Sequence, residues 1–208
     1  MAELGYEFVG LHAINSLEMH RLDGARRLAS LTAEHGLPIT PVLLTKVVDV
    51  AQIVRALAHT KINWLQLHHP WPISGLLALY NELHRNGPSA RIILLVDPMT
   101  AHDRRLTDEL LHLVDFVILD HRAGGTGRLL PFDSVRRTLE MIDPNRVFLA
   151  GGLDAGNVAE IVRRHQPYAV DAQSGLLNSD GAQDPGKLAA FIHAVRGAPA
   201  CEPTAGKR

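Results

Sequence analysis

The chain has 208 residues, 46% of them apolar and 21% charged, with a net charge of −1. That composition fits one globular domain with a sizeable core, and gives no electrostatic reason to expect nucleic acid or an anionic membrane surface as a partner. Cys201 is the single cysteine, which excludes an internal disulfide or a cysteine metal cluster and points to a reducing cytoplasm.

The start, Met1-Ala2-Glu3-Leu4-Gly5, lacks the basic and apolar segments of a signal peptide, and no apolar run reaches transmembrane length. Short apolar runs then alternate with longer amphipathic ones. Tyr6–His12 reads as a first strand and Leu22–His35 as a helix, with Leu28, Ala29, Leu31 and Thr32 on one face. The pattern continues with strand Ile39–Leu44 and helix Val47–Ala58, strand Ile62–His68 and helix Ile73–Arg85, strand Arg91–Asp97 and helix Ala101–Leu113. Strand Val114–Asp120 precedes helix Asp133–Ile142, Arg146–Gly151 precedes Ala155–His165, and Tyr168–Gln173 precedes Pro185–Val195. Residues 1–196 form one domain on this reading, and 197–208 a disordered tail. Continuous apolar runs such as Ile92-Ile93-Leu94-Leu95-Val96 mark parallel strands covered on both faces.

Strict βα alternation leaves two architectures, a doubly wound open sheet or a closed barrel. Both put active sites at the C-terminal strand ends, where His12, Gln66, His68, Asp97, Asp120 and Asp171 collect. Neither GxGxxG nor GxxxxGK[ST] occurs, so a nucleotide-binding fold of those types has no support. Three neighbouring strand ends instead carry glycine: Gly124-Gly125-Thr126-Gly127, Gly151-Gly152, and Ser174-Gly175. Bare backbone N–H groups at adjacent strand ends suit an anion, so a phosphorylated small molecule is expected there. The same turns also read as plain tight turns. His12, His68, Asp97 and Asp120 leave a divalent-metal set open as an alternative of the epimerase kind.

From Asp120 to Phe191 the sequence resembles phosphoribosylanthranilate isomerases. The shared segments are Ile118-Leu119-Asp120, Gly124-Gly125-Thr126-Gly127 with Phe132-Asp133, Val147-Phe148-Leu149-Ala150-Gly151-Gly152-Leu153 with Asn157-Val158, Pro167 through Gly175, and Asp184, Lys187 and Phe191-Ile192. Leu65-Gln66-Leu67-His68 extends the similarity upstream. The resemblance implies a TIM-barrel-like fold and an aldose–ketose (Amadori) isomerisation of tryptophan biosynthesis that needs no cofactor. It implies Asp120 as general acid, Gln66 and His68 near the substrate, and Gly125, Gly127, Gly151, Gly152, Ser174 and Gly175 around the phosphate; Asp97, a strand-end acid one strand from Asp120, is a further candidate at the substrate and a neighbour able to raise the Asp120 pKa. His12 is the candidate base, because imidazole titrates near neutrality.

The chain departs from that family in three ways. Its first strand aligns with the family's second, so seven βα units are expected and the first unit, with its cysteine base, is missing. Glu18 falls where the family carries a substrate-binding arginine, and Leu177 where it carries an acid. Loss of one barrel strand leaves two unpaired edges; a contracted seven-stranded barrel, an open sheet covered by another subunit, or a start further upstream would each answer this, and a homo-oligomer or a partner covering the gap is the expectation. A degenerate barrel that binds a phosphorylated sugar without turnover, or different chemistry on the same phosphate cup, are the alternative readings.

Overall fold

Seven parallel strands follow one another round a single sheet in chain order. They are β1 (Phe8–His12), β2 (Thr40–Thr45), β3 (Trp64–Leu67), β4 (Arg91–Val96), β5 (Phe116–Leu119), β6 (Val147–Leu149) and β7 (Ala169–Val170). The helices behind them are α1 (Met19–Glu34), α2 (Val50–Thr60), α3 (Ile73–Arg85), α4 (Arg104–Leu111), α5 (Phe132–Leu139), α6 (Val158–His165) and α7 (Pro185–Arg196). The computed structural model describes residues 1–85, 87–100, 104–121 and 128–198. Gly125, Gly127, Cys201 and all but the first two residues of the expected tail lie outside the described residues.

Every expected strand and helix is present; α3 keeps its expected ends, and the others shift at one end or both. Helix α1 begins at Met19 rather than Leu22, and its buried positions are Leu22 and Thr32, with Ala25 and Ala29 packed beside them. Leu31, expected on that face, is instead 37% exposed, because a face that holds positions 22, 25, 29 and 32 turns position 31 outward. Helix α2 begins at Val50 rather than Val47: Asp49 caps it by accepting the Gln52 N–H, which ends the preceding loop there.

The alternation of side chains along the strands sorts the apolar residues into two sets. Leu43, Leu65, Leu67, Ile92, Leu94, Val117, Leu119 and Leu149 face the helices. Val42, Trp64, Ile93, Leu95, Phe116, Ile118, Phe148 and Ala150 face inward. The sheet is therefore rolled into a barrel, and its interior is packed with aromatic rings. Trp64 stacks on Phe116 with centroids 5.2 Å apart, and Phe8 on β1 meets Phe148 on β6 at 5.4 Å.

The barrel is left open on one side. No ladder joins β7 to β1 among the described residues. The end of the gap nearest the strand starts is bridged by side chains and by the N-terminal turn. Phe8 approaches Tyr168 at 6.4 Å between ring centroids. The Tyr6 hydroxyl donates to the Leu188 carbonyl, and Arg196 donates to the Gly5 carbonyl. Towards the strand C-termini the gap opens into a cavity.

Candidate functional site

The cavity has a volume of about 810 Å³ and runs along β1 and β7 to the mouth of the barrel. The same period of two that fills the interior with apolar side chains places polar ones at the mouth. On β1 the inward positions run from Phe8 past Gly10 to His12, on β2 from Val42 and Leu44 to Lys46, on β3 from Trp64 to Gln66 and His68. On β5 they run from Phe116 and Ile118 to Asp120, and on β7 from Ala169 to Asp171. His12, Lys46, Gln66, His68, Asp120 and Asp171 all line the cavity.

Two carboxylates share one sector of this mouth. Leu119 pairs with Leu149, and Leu149 with Val170. One residue further on, Asp120, Ala150 and Asp171 stand level, with only the small side chain of Ala150 between the acids. Asp120 is buried, and its Oδ1 accepts the His121 N–H at 2.7 Å. Burial pushes its carboxyl above the usual range; the His121 N–H and ring oppose the rise, and the Asp97 charge adds to it. Asp171 lines the cavity, where water reaches it. Burial and then the Asp120 charge push its carboxyl up to about 6. The two acids titrate as a pair.

The histidines at the opposite wall are uncharged at neutral pH. Burial lowers His12 from its ordinary value. His68 is lowered to about 4 by burial first, then by the Lys46, His12 and His69 charges. The Gln66 side-chain nitrogen lies 3.1 Å from His68 Nδ1. An amide nitrogen only donates, so Nδ1 accepts and the ring carries its proton on Nε2, free to donate into the cavity. The ring of the neighbouring His69 stacks on Trp71 at 5.7 Å.

Asp97 stands apart from the others. Its carboxylate accepts the Met99 N–H at 2.9 Å in the turn after β4 and does not line the cavity. It reaches the site through its field on Asp120.

The glycine strand ends meet beside the acids. Gly151, Gly152 and Ser174 line the cavity, and a Cβ on Gly151 would stand 3.3 Å from Asp120 Oδ1. The amides of Gly151, Gly152, Ser174 and Gly175 donate to no acceptor among the described residues. Gly152 has φ +66°, and a Cβ there would lie 2.5 Å from the Arg128 carbonyl carbon. Gly175 is required for a different reason: a Cβ would fall on the Leu153 carbonyl oxygen, so the loops after β6 and β7 touch only because this residue has no side chain. Asp184 and Lys187 hold that loop from behind. Asp184 caps α7 through the Lys187 N–H, and Lys187 Nζ donates to the Leu177 carbonyl at 2.6 Å.

Glu18 and Arg21 lie outside the cavity, paired with each other at 3.1 Å on the surface. No group of three or more His, Cys, Asp or Glu side chains is placed to hold a metal ion among the described residues. The four residues open to a metal reading are therefore not brought together as ligands. No described helix is long and apolar enough to cross a membrane. Sequence reasoning overlooked Lys46, and it noted Asp171 as a strand-end acid without giving it a role.

Residues 32–194 match the family described as N-(5'phosphoribosyl)anthranilate (PRA) isomerase. N-(5'-phosphoribosyl)anthranilate isomerase 2 of Methanosarcina mazei is 30% identical over 167 residues, which are 76% of this chain and 70% of that protein. The crystal structure of phosphoribosyl anthranilate isomerase from Thermus thermophilus superposes with a TM-score of 0.74 at 21% identity, covering 94% of this chain and 90% of that one. A crystal structure of a phosphoribosyl anthranilate isomerase in complex with reduced 1-(o-carboxyphenylamino)-1-deoxyribulose 5-phosphate gives 0.67 at 20%, with the same coverage. The chain belongs to the N-(5'-phosphoribosyl)anthranilate isomerase family.

Proposed function

We propose that this member of the phosphoribosylanthranilate isomerase family converts N-(5'-phosphoribosyl)anthranilate to 1-(o-carboxyphenylamino)-1-deoxyribulose 5-phosphate, as a cytoplasmic step of tryptophan biosynthesis. One observation supports it above the others: an acid with a raised pKa, a neutral imidazole and unengaged glycine amides converge on a single mouth. In this reading the amides of Gly151, Gly152, Ser174 and Gly175 receive the phosphate as uncharged donors. The phosphate fixes the ribose ring across the barrel mouth, with Asp120 at the ring oxygen.

Asp120 protonates that oxygen while the nitrogen lone pair forms the C1=N bond and the ring C–O bond breaks. His12, neutral and therefore able to accept, takes the C2 proton, and the C2–H electrons move in to neutralise the iminium. A proton delivered to C1 and loss of the 2-hydroxyl proton give the ketose. No electrons leave the substrate, so no cofactor is needed. Burial and then the Asp97 charge raise the Asp120 carboxyl towards the range where a general acid works. Gln66 and His68 orient the sugar hydroxyls, and Asp97 acts on Asp120 through its charge.

The open edge between β7 and β1 belongs to the same proposal: a second copy or a partner covers it, and a monomer at low concentration in sedimentation would count against that. Complementation tests the activity. Expression in a tryptophan auxotroph that lacks the isomerase should restore growth, and expression of Asp120→Asn should not. Failure of the unaltered chain, with a ligand-dependent rise in melting temperature in vitro, would favour a binding module instead.

A further inference from the structure

The proposed substrate carries a negative charge at each end, a phosphate on the ribose and a carboxylate on the aryl ring. The glycine amides account for the first. We infer that Lys46 receives the second, and this rests on the function proposed above.

Lys46 is the only lysine or arginine among the described residues that line the cavity. Its direction follows from the strand period, since Val42 and Leu44, at the two preceding alternate positions, also line the interior. Its backbone is fixed. The Lys46 N–H donates to the Ile14 carbonyl at 2.9 Å, and the buried Thr45 hydroxyl donates to the Ala13 carbonyl at 2.8 Å. These bonds tie the ends of β1 and β2 into one rim. The ammonium forms no ion pair with a carboxylate among the described residues, so no internal acid competes for it.

Its position suits a substrate stretched across the mouth. The register runs through Thr45 and Leu67, which sets Lys46 beside His68, and the Lys46 charge is a cause of the low His68 pKa. A cation and a neutral imidazole N–H thus stand together on the β2–β3 side. The glycine amides stand on the β6–β7 side, four strands round the sheet from β2. A ligand with phosphate at one end and carboxylate at the other joins the two sites across Asp120. Lys46 is therefore a specificity residue: it selects arylamines that carry an acid over neutral ones.

The test uses the full chain and two ligands, reduced 1-(o-carboxyphenylamino)-1-deoxyribulose 5-phosphate and the same compound without the carboxyl group, with inorganic phosphate as a third probe. Calorimetry on Lys46→Gln should show about a tenfold loss of affinity for the carboxylate ligand. Affinity for the decarboxylated ligand and for phosphate should be unchanged, and Lys46→Arg should recover most of the loss. Equal weakening of both ligands and of phosphate would put the phosphate on Lys46 and overturn the inference. So would a Lys46→Gln variant that binds the carboxylate ligand as well as the unaltered protein does. Unaltered protein that binds neither ligand overturns the proposed function, and the inference with it.

Discussion

Asp171→Asn should make the protein more stable at neutral pH while impairing turnover. The Asp171 carboxyl moves from an ordinary 3.8 to about 6 in the fold. Holding it ionised there costs at most ~3 kcal/mol. Water reaches it through the cavity, so screening reduces the cost to roughly 1–1.5 kcal/mol. The folded chain binds this proton more tightly than the unfolded chain does. The penalty is therefore full above about pH 6 and fades as pH falls towards 3.8. Asparagine is isosteric and never charged. Its melting temperature should exceed that of the unaltered protein by about 2–6 °C at pH 7.5, and the difference should vanish near pH 4. Scanning calorimetry of both proteins across that range measures it. A variant that melts lower at pH 7.5, or by the same margin at both pH values, would refute a raised Asp171 carboxyl.

Three further outcomes follow from the same geometry. Gly175→Ala should part the β6 and β7 loops, cost roughly 1–3 kcal/mol in a urea titration, and weaken binding of inorganic phosphate measured by calorimetry. Trp64→Ala removes the centre of the aromatic interior and should cost ~3–5 kcal/mol in equilibrium unfolding; a loss under about 1 kcal/mol would show that the rings do not hold the open barrel together. His12→Gln should lower kcat about 10²–10⁴-fold and remove an acid limb from the pH profile of kcat/KM. That limb lies below 6.5 in the unaltered protein, because burial lowers the His12 pKa.

The strands and helices were legible because their apolar runs follow periods of 2 and 3.6 over whole elements. Their ends were less so. Val47 and Val48 continue an apolar run and read as the start of a helix, yet Val48 is 61% exposed and the helix waits for the Asp49 cap. That misreading hid Lys46, which looks like a helix-flanking lysine until β2 is seen to run through Thr45. Asp120 was legible from the segment around it. Its partner was not, because the closeness of Asp171 depends on the register through Ala150, a property of pairing between strands. Gly175 looked like a phosphate ligand from its sequence, whereas its close approach to Leu153 also makes it a packing position. Asp97 sits at a strand end like the others, but the turn it caps takes its carboxylate out of the cavity.

The most direct test is turnover by the purified protein. N-(5'-phosphoribosyl)anthranilate is generated in the cuvette, and its consumption is followed by fluorescence, with the ketose product identified by mass-resolved chromatography. The proposed function predicts steady conversion by the unaltered chain and a loss of about 10²–10⁴-fold in Asp120→Asn, with phosphate binding retained. A chain that binds the product analogue yet converts no substrate, or an Asp120→Asn variant as active as its parent, would contradict it.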